Sequence, residues 1–403
     1  MYQKLVSLND DLRRLAEKGY AIGFDSGYLV IRDIPYLDQA GAPQTGAFVT
    51  KLVFADQYRV QQEDHQVFFA GGVPYQQDGS PIANLGGGGP ISLALSERYK
   101  DVVVERSFSN KPKVDGNLVG FVDFFAKIES YTTVISGPAI ERYGKSPYTF
   151  RIDPHEAEHP VFKFTDSLTS RAEIVDIANK LTDDVVAIIG LGGTGSYLLD
   201  FMVKTPVREI RGFDFDPFHV HNAYRSPGRL QPDEFGKSKA EVYADRYANF
   251  RHGLRLQATR IDASCLDELD GVTFAFVCVD KGSSRAGIFN ALIAKKIPFI
   301  DVGIGLKRKD GGLTGQARLT YYPPEQAEKL RDLNLAELHD SPEDLYRANI
   351  QIGELNALNA ALAVIRYKQL RNFYHSDEDV LQLLFRISDM HLIGETSFDE
   401  NQA

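Results

Sequence analysis

Cysteine is scarce: the 403 residues hold two, Cys265 and Cys278. That excludes a disulfide scaffold and a four-cysteine zinc site, and it fits a reducing cytoplasm. No run of about 18 apolar residues occurs, so no membrane-spanning helix is expected. The opening stretch MYQKLVSLNDDLRRL is charged throughout and has no secretion-signal apolar region. Basic residues are outnumbered, 45 against 55, for a formal net charge of −10. This balance argues against general binding to nucleic acid or to an anionic membrane. Internal repeats and low-complexity blocks are missing as well. What is present is 43 % apolar and long enough for about two domains, each with a core.

The chain changes character near Ser167, which divides it into an α+β domain at 1–165 and a second domain at 166–403. In the first, Leu12, Leu15 and Ala16 line one face of a helix expected at 9–18. Extended runs follow at 28–31, 47–54 and 66–69, separated by Gly, Pro and Asp clusters. Periodicity leaves 118–125 as helix or strand, and 140–159 reads as a connector. Residues 84–90 carry four adjacent glycines, suited to lie over a phosphate or to form a turn. The aromatics Tyr20, Tyr28, Tyr36, Phe68, Phe69 and Tyr75 suit either a core or a protein-binding face. His155 and His159, with Glu156 and Glu158 between them, read as a charged linker or as two metal ligands.

The second domain alternates strands and helices: strands at 184–189, 209–213, 255–258, 272–279 and 298–302, helices at 167–181, from 196, and at 240–249 and 284–295. Buried, β-branched strands alternating with helices predict an α/β, doubly wound, Rossmann-like sheet. An antiparallel strand at 316–321 and a long helix at 352–371 complete the expectation.

Gly190-Leu-Gly192-Gly193-Thr-Gly195-Ser196 leaves the first strand and opens a helix. Glycines there permit a tight turn and let backbone N–H groups approach phosphate beside the positive helix end. Asp214 ends the next strand, where a carboxylate accepts from ribose hydroxyls. Gly236-Lys237-Ser238 looks like the tail of a Walker A loop, but Gln231 stands where its first glycine would be. Asp214, Asp216, Asn222, Arg225 and Lys239 crowd one loop. A dehydrogenase has little use for the two cations, whereas an enzyme holding a triphosphate must balance about four negative charges. Asp280 follows the strand at 272–279 and faces the ligand crevice, either to hold Mg²⁺ against phosphates or to cap the next helix. Arg285 on that helix reads as a phosphate ligand or as a surface residue.

The ordered set GLGGTGS, FDFDPFHVHNAYR, GKSKA and VCVD-(x)4-R resembles the ThiF-type family, which includes ubiquitin-activating enzymes and the sulfur-carrier adenylyltransferases of thiamin and molybdopterin synthesis. The resemblance implies ATP and Mg²⁺ as cofactors, with Gly190, Gly192, Gly193, Gly195, Asp214, Asp216, Asn222, Arg225 and Lys239 binding ATP. It implies Arg225, Lys239 and Asp280 as catalytic, with Asp280 associated with the metal. The implied reaction adenylates the C-terminal carboxylate of a ubiquitin-like or sulfur-carrier protein. A homodimer and a conjugating-enzyme-like partner are also implied. Joined to an extra N-terminal region, the arrangement resembles bacterial ubiquitin-like conjugation and antiviral defence systems, where such regions handle the modifier or a conjugating enzyme.

Two departures stand out. The paired CxxC zinc site of many relatives is missing, so no zinc is expected. The segment 321–349, where relatives place an acyl-accepting cysteine, contains none. The acyl-carrier candidates are then Ser341, with His339 two residues away, and Cys265; the alternative is an enzyme that stops at the adenylate. Ser341-Pro-Glu equally fits a helix N-cap, and Cys278 fits a small buried hydrophobe. Two other function classes stay open: an NAD(P)-dependent Rossmann oxidoreductase and a non-catalytic scaffold of ThiF fold.

Overall fold

The computed structural model describes residues 2–25, 27–83, 85, 91, 93, 95–114, 117–153, 161–164, 166, 168–169, 172, 174–262, 265–340 and 350–396. The chain forms two compact units, residues 1–175 and 176–403.

The first unit opens with helices Tyr2–Leu8 (α1) and Asp10–Lys18 (α2). Five strands follow: Ala21–Asp25 (β1), Tyr28–Leu37 (β2), Pro43–Lys51 (β3), Val67–Ala70 (β4) and Arg106–Phe108 (β5). They pair antiparallel in that order. A helix of 20 residues, Phe124–Tyr143 (α3), packs on the sheet through Phe124, Ile128, Tyr131 and Ile135. The run at 118–125, ambiguous in sequence, and the connector expected from 140 overlap only its two ends, and the stretch between carries no sequence assignment. Its Thr132-Thr133-Val134-Ile135 run, Gly137 and Pro138 lower intrinsic helix propensity, and tertiary burial of one face overrides it. Asp123 starts the helix by accepting from the Ala126 N–H at 2.6 Å. Tyr20, Tyr36 and Phe69 are buried in the core, while Tyr28 and Phe68 pack half-buried on the sheet's other face. These five serve packing. The glycine-rich stretch 86–90 and the 155–159 histidine pair lie outside the described residues.

Lys127 of α3 is fully buried; its ammonium donates to Thr50 Oγ1 at 2.6 Å and to the Asp64 carbonyl. Burial pushes its pKa down to about 8 from the usual 10.5. Between those values the folded protein binds fewer protons at this site than the unfolded chain, so stability rises with pH. Denaturant midpoints measured from pH 8 to 9.5 should therefore rise in the wild type relative to Lys127→Met. Parallel pH profiles of the two proteins would remove Lys127 as the cause.

A helical turn at Val175–Ala178 and a 3₁₀ turn at Asn179–Leu181 lie at the start of the second unit, within the helix expected at 167–181, of which residues 167, 170, 171 and 173 lie outside the described residues. Then come Val185–Ile189 (β6), Gly193–Met202 (α4), Glu209–Phe213 (β7), Lys239–Tyr247 (α5), Leu254–Gln257 (β8), Phe274–Val277 (β9), Gly282–Ala294 (α6), Phe299–Lys309 (β10), Gly312–Tyr322 (β11), Ala327–Asp332 (α7), Gly353–Leu370 (α8), Gln382–Arg386 (β12) and His391–Glu395 (β13). The sheet order is β8-β7-β6-β9-β10-β11-β12-β13. Pairing is parallel from β8 to β10 and antiparallel beyond.

Alternation along β6 sends Val186 and Ile188 toward α4 and α8, and Val185, Ala187 and Ile189 toward α6. Both faces are covered, as a doubly wound α/β sheet requires. The antiparallel β12 and β13 were not anticipated, because half-exposed strands carry a weaker apolar signal than buried parallel ones. Among the described residues, no helix is long and apolar enough to cross a membrane.

Candidate nucleotide-binding site

The parallel strands β7, β6 and β9 are adjacent, so the segments leaving their carboxyl ends share one crevice. Close approach fixes the glycine turn. Gly190 has φ +95°, and a Cβ there would lie 2.7 Å from the Cys278 carbonyl oxygen. A Cβ on Gly195 would lie 1.8 Å from the Gly190 oxygen, so the turn closes only with glycine at both places. Gly192 differs: apart from its chain neighbours, no heavy atom of the described residues lies within 4 Å of its would-be Cβ. That open side, at the N-terminus of α4, has the room and the backbone polarity a phosphate needs.

Asp214 is 7 % exposed and clamps this turn, accepting from the Leu191 N–H at 2.7 Å and from the Asp216 N–H at 2.9 Å. Lys239 is also buried, with its ammonium 3.4 Å from both Asp214 oxygens and 2.9 Å from Asp216 Oδ2. GKS is thereby explained locally. Gly236 takes φ +84°, Ser238 caps α5 in a reciprocal pair with Glu241, and Lys239 becomes the first helical residue. A cation there opposes the helix dipole, and the two aspartates offset it.

Asn222 is buried and works on the backbone: its Oδ1 accepts from the His219 N–H at 2.8 Å and closes a short helix, Val220–Ala223. Arg225 follows, its N–H bonded to the Asn222 carbonyl at 3.1 Å. The Arg225 Nε is buried and has no hydrogen-bond partner among the described residues. His221 has its pKa lowered by partial burial and by the positive charges of Arg225, His219 and Lys239. The loop thus brings two cations together, Lys239 already paired with Asp214 and Asp216.

Asp280 is exposed, and both its oxygens accept from the Gln351 amide, at 3.1 and 2.9 Å. Gln351 stands just before α8, whose start completes the site. Asn356 is buried against Gly193 and accepts from Thr194 Oγ1 at 3.0 Å, and the would-be Cβ of Gly353 lies 3.3 Å from the Tyr224 oxygen and 3.7 Å from Arg225 Cα. The beginning of α8 therefore touches the glycine turn, the Arg225 loop and, through Gln351, Asp280. Gln351, Gly353 and Asn356 were missed in the sequence. The usable signal was Asn356 and Asn359, two amides within the otherwise apolar run 355–365 of this helix, both of them buried.

Arg285 is neither a phosphate ligand nor a surface residue. It is 5 % exposed and donates to Asp301 Oδ1 at 3.1 Å and to the carbonyls of Glu337 and Val279. Asp340, not Asp280, caps α6, accepting from the Ser283 N–H at 3.0 Å. Cys278 sits behind the glycine turn, and burial, with the nearby carboxylates of Asp301 and Asp280, pushes the thiol pKa well up. Cys265 precedes a 3₁₀ turn at Leu266–Leu269 and packs half-buried on the α6 side of the core. Ser341 lies outside the described residues.

A family model described as "ThiF family" matches residues 167–375, just over half of the 403 residues. The chain belongs to the ThiF family. A domain of unknown function (DUF6791) matches residues 10–167, ahead of the ThiF match. The ubiquitin-like modifier-activating enzyme 5 of Caenorhabditis briggsae is 24 % identical over 153 residues, covering 37 % of this chain and 34 % of the relative. That of Drosophila persimilis is 25 % identical over 149 residues, covering 33 % and 38 %. The chain thus spans little more than a third of the length of these relatives. Similar solved structures include PaaA, with 16 % identity and a TM-score of 0.42 over 58 % of this chain and 71 % of that one. Escherichia coli MccB with ATP is 16 % identical, with a TM-score of 0.39 over 55 % and 66 %. The ThiF match encloses every residue of the crevice, from Gly190 to Asn356.

Proposed function

We propose that this ThiF-family chain adenylates the C-terminal carboxylate of a ubiquitin-like or sulfur-carrier protein, using ATP. The observation that carries the reading is the gathering of the glycine turn, Asp214, Lys239, Arg225 and Asp280 around the start of α8. The name shared by the sequence relatives supports the substrate class.

In this reading Asp214 shares its carboxylate with the ribose hydroxyls, and the open side of Gly192 admits the phosphates. The modifier carboxylate is already ionised and needs no base. One of its oxygens forms a bond to the α-phosphorus, the bond to the bridging oxygen breaks, and pyrophosphate leaves with that electron pair. The chain's task is alignment and charge neutralisation. Arg225 and Lys239 stabilise the charge that builds on the phosphate oxygens. The donor set fits Mg²⁺, which is commonly held by one or two carboxylates together with substrate phosphates. Asp280 would hold it, and the ion would screen the β- and γ-phosphate charge. Asn222 acts as a positioning residue for Arg225, and Gln351 for Asp280. The homodimer, the conjugating-enzyme-like partner and a role in bacterial antiviral defence belong to the same proposal.

The test is exchange of labelled pyrophosphate into ATP. Exchange should require the modifier and vanish when its last residue is removed. Modifier binding without an adenylate would make the chain a scaffold, and NAD(P) binding without ATP binding would make it an oxidoreductase. Mass spectrometry after the reaction addresses the carrier: a hydroxylamine-labile adduct lost in Cys265→Ser or in Ser341→Ala identifies the residue.

A further inference from the structure

At the far end of α8 from the crevice lies a cavity of about 630 Å³, lined by Lys180, Arg366, Phe373, Tyr374, His375 and Asp379, among others. With 18 residues, α8 is about 27 Å long, so this cavity is separate from the glycine turn. Its notable wall is Arg366, 2 % exposed, whose Nε is buried without a hydrogen-bond partner among the described residues. Nη1 makes one long contact, 3.4 Å to Gln369 Oε1, and the guanidinium carbon lies 5.9 Å from the Tyr321 ring centroid.

Other buried arginines of this unit are satisfied. Arg285 is paired with Asp301, and Arg251 donates to the carbonyls of Thr205 and Val207. Arg366 makes no ion pair among the described residues. Burial lowers its pKa and nearby Asp379 opposes that, but a guanidinium stays charged in any case. A buried cation without a counter-charge is costly, and here it borders a ligand-sized cavity. Lys180 adds a second cation at the rim, with one of its three N–H donors spent on the Asn372 carbonyl at 2.7 Å.

We propose that this cavity binds a small oxyanion, a carboxylate or phosphate group, seated on the Arg366 guanidinium with Lys180 at the rim. The aromatic rings of Phe373 and Tyr374 would flank whatever carries the charged group. Asp379 limits affinity by repulsion.

The experiment uses the full chain labelled with ¹⁵N-arginine, with the Arg366 Nε–H signal assigned by through-bond correlation. Inorganic phosphate, N-acetylglutamate and, at matched ionic strength, chloride are titrated separately. Arg225 Nε–H reports phosphate at the glycine turn independently, so the two sites are read apart. The Arg366 signal should shift and saturate with phosphate, with N-acetylglutamate or with both, and not with chloride. Saturation by phosphate alone makes the natural ligand a phosphate, and saturation by N-acetylglutamate alone makes it a carboxylate. Asp379→Asn, on the exposed rim, should tighten binding about threefold, the size expected for removing one like charge from a hydrated cavity. Lys180→Ala should weaken it by a similar factor. An Arg366 signal that neither oxyanion moves, or saturation indifferent to both rim variants, overturns the proposal.

Discussion

Arg225→Ala is expected to lower modifier-dependent pyrophosphate exchange about 10²- to 10³-fold, the usual loss when one donor to developing transition-state charge is removed. The thermal midpoint should stay where it is. That combination follows from how Arg225 is held. Its backbone is fixed by Asn222 and by its approach to Gly353, but its buried Nε has no partner among the described residues, so truncation strands no carboxylate among them. Lys239→Ala should behave differently, losing exchange and stability together, because Asp214 and Asp216 would both lose their cation. Asp280→Ala should abolish exchange and leave the fold intact, since its partner Gln351 remains a neutral amide. Normal exchange in Arg225→Ala would remove that arginine from the reaction, and a collapsed midpoint would mean its role is structural.

The largest effect on stability should come from Asp301. It is fully buried and holds two guanidiniums, Arg285 Nε at 3.1 Å and Arg318 Nη2 at 2.5 Å. Asp301→Leu leaves the buried Arg285 and the partly buried Arg318 without their counter-charge and should cost about 3–5 kcal/mol, the penalty for breaking a buried pair from one side. Denaturant unfolding of the full chain would show it as a separate, earlier transition of the second unit. Replacing Arg285, Asp301 and Arg318 together by apolar side chains of similar volume should recover most of the loss, because the desolvation cost disappears with the charges. A single Asp301→Leu change within about 1 kcal/mol of wild type would contradict this account.

Much of the second unit was legible because its strands are short, apolar and covered on both faces, as at Val185–Ile189 and Phe274–Val277. The glycine turn was legible for the same local reason: its residues are consecutive, and two of them are forced by contacts across the turn. Long-range partners left no such trace. Gln351 is 71 residues from Asp280, and Asn356 is 162 from Thr194, so only the folded sheet brings them together. Arg285 was misread because its pattern, a basic residue in a helix's first turns, is the same whether it points to solvent or, as here, to a buried aspartate on the next strand. In the first unit α3 was hidden by its own composition, since its stability comes from the sheet beneath it.

Lys239 gives the crevice a further property. Its ammonium is already neutralised by Asp214, which is buried, and by Asp216, whose side chain is 54 % exposed. If Lys239 binds phosphate, as proposed, the phosphate must compete with Asp216 for the ammonium, which amounts to a counter-ion exchange. Free chloride or sulfate, with nothing else to hold it, gains little from such a swap, whereas a nucleotide anchored at its sugar does. On the proposed reading, Asp216 is a placeholder for the phosphate, and selectivity against simple salts would rest on this single half-exposed carboxylate.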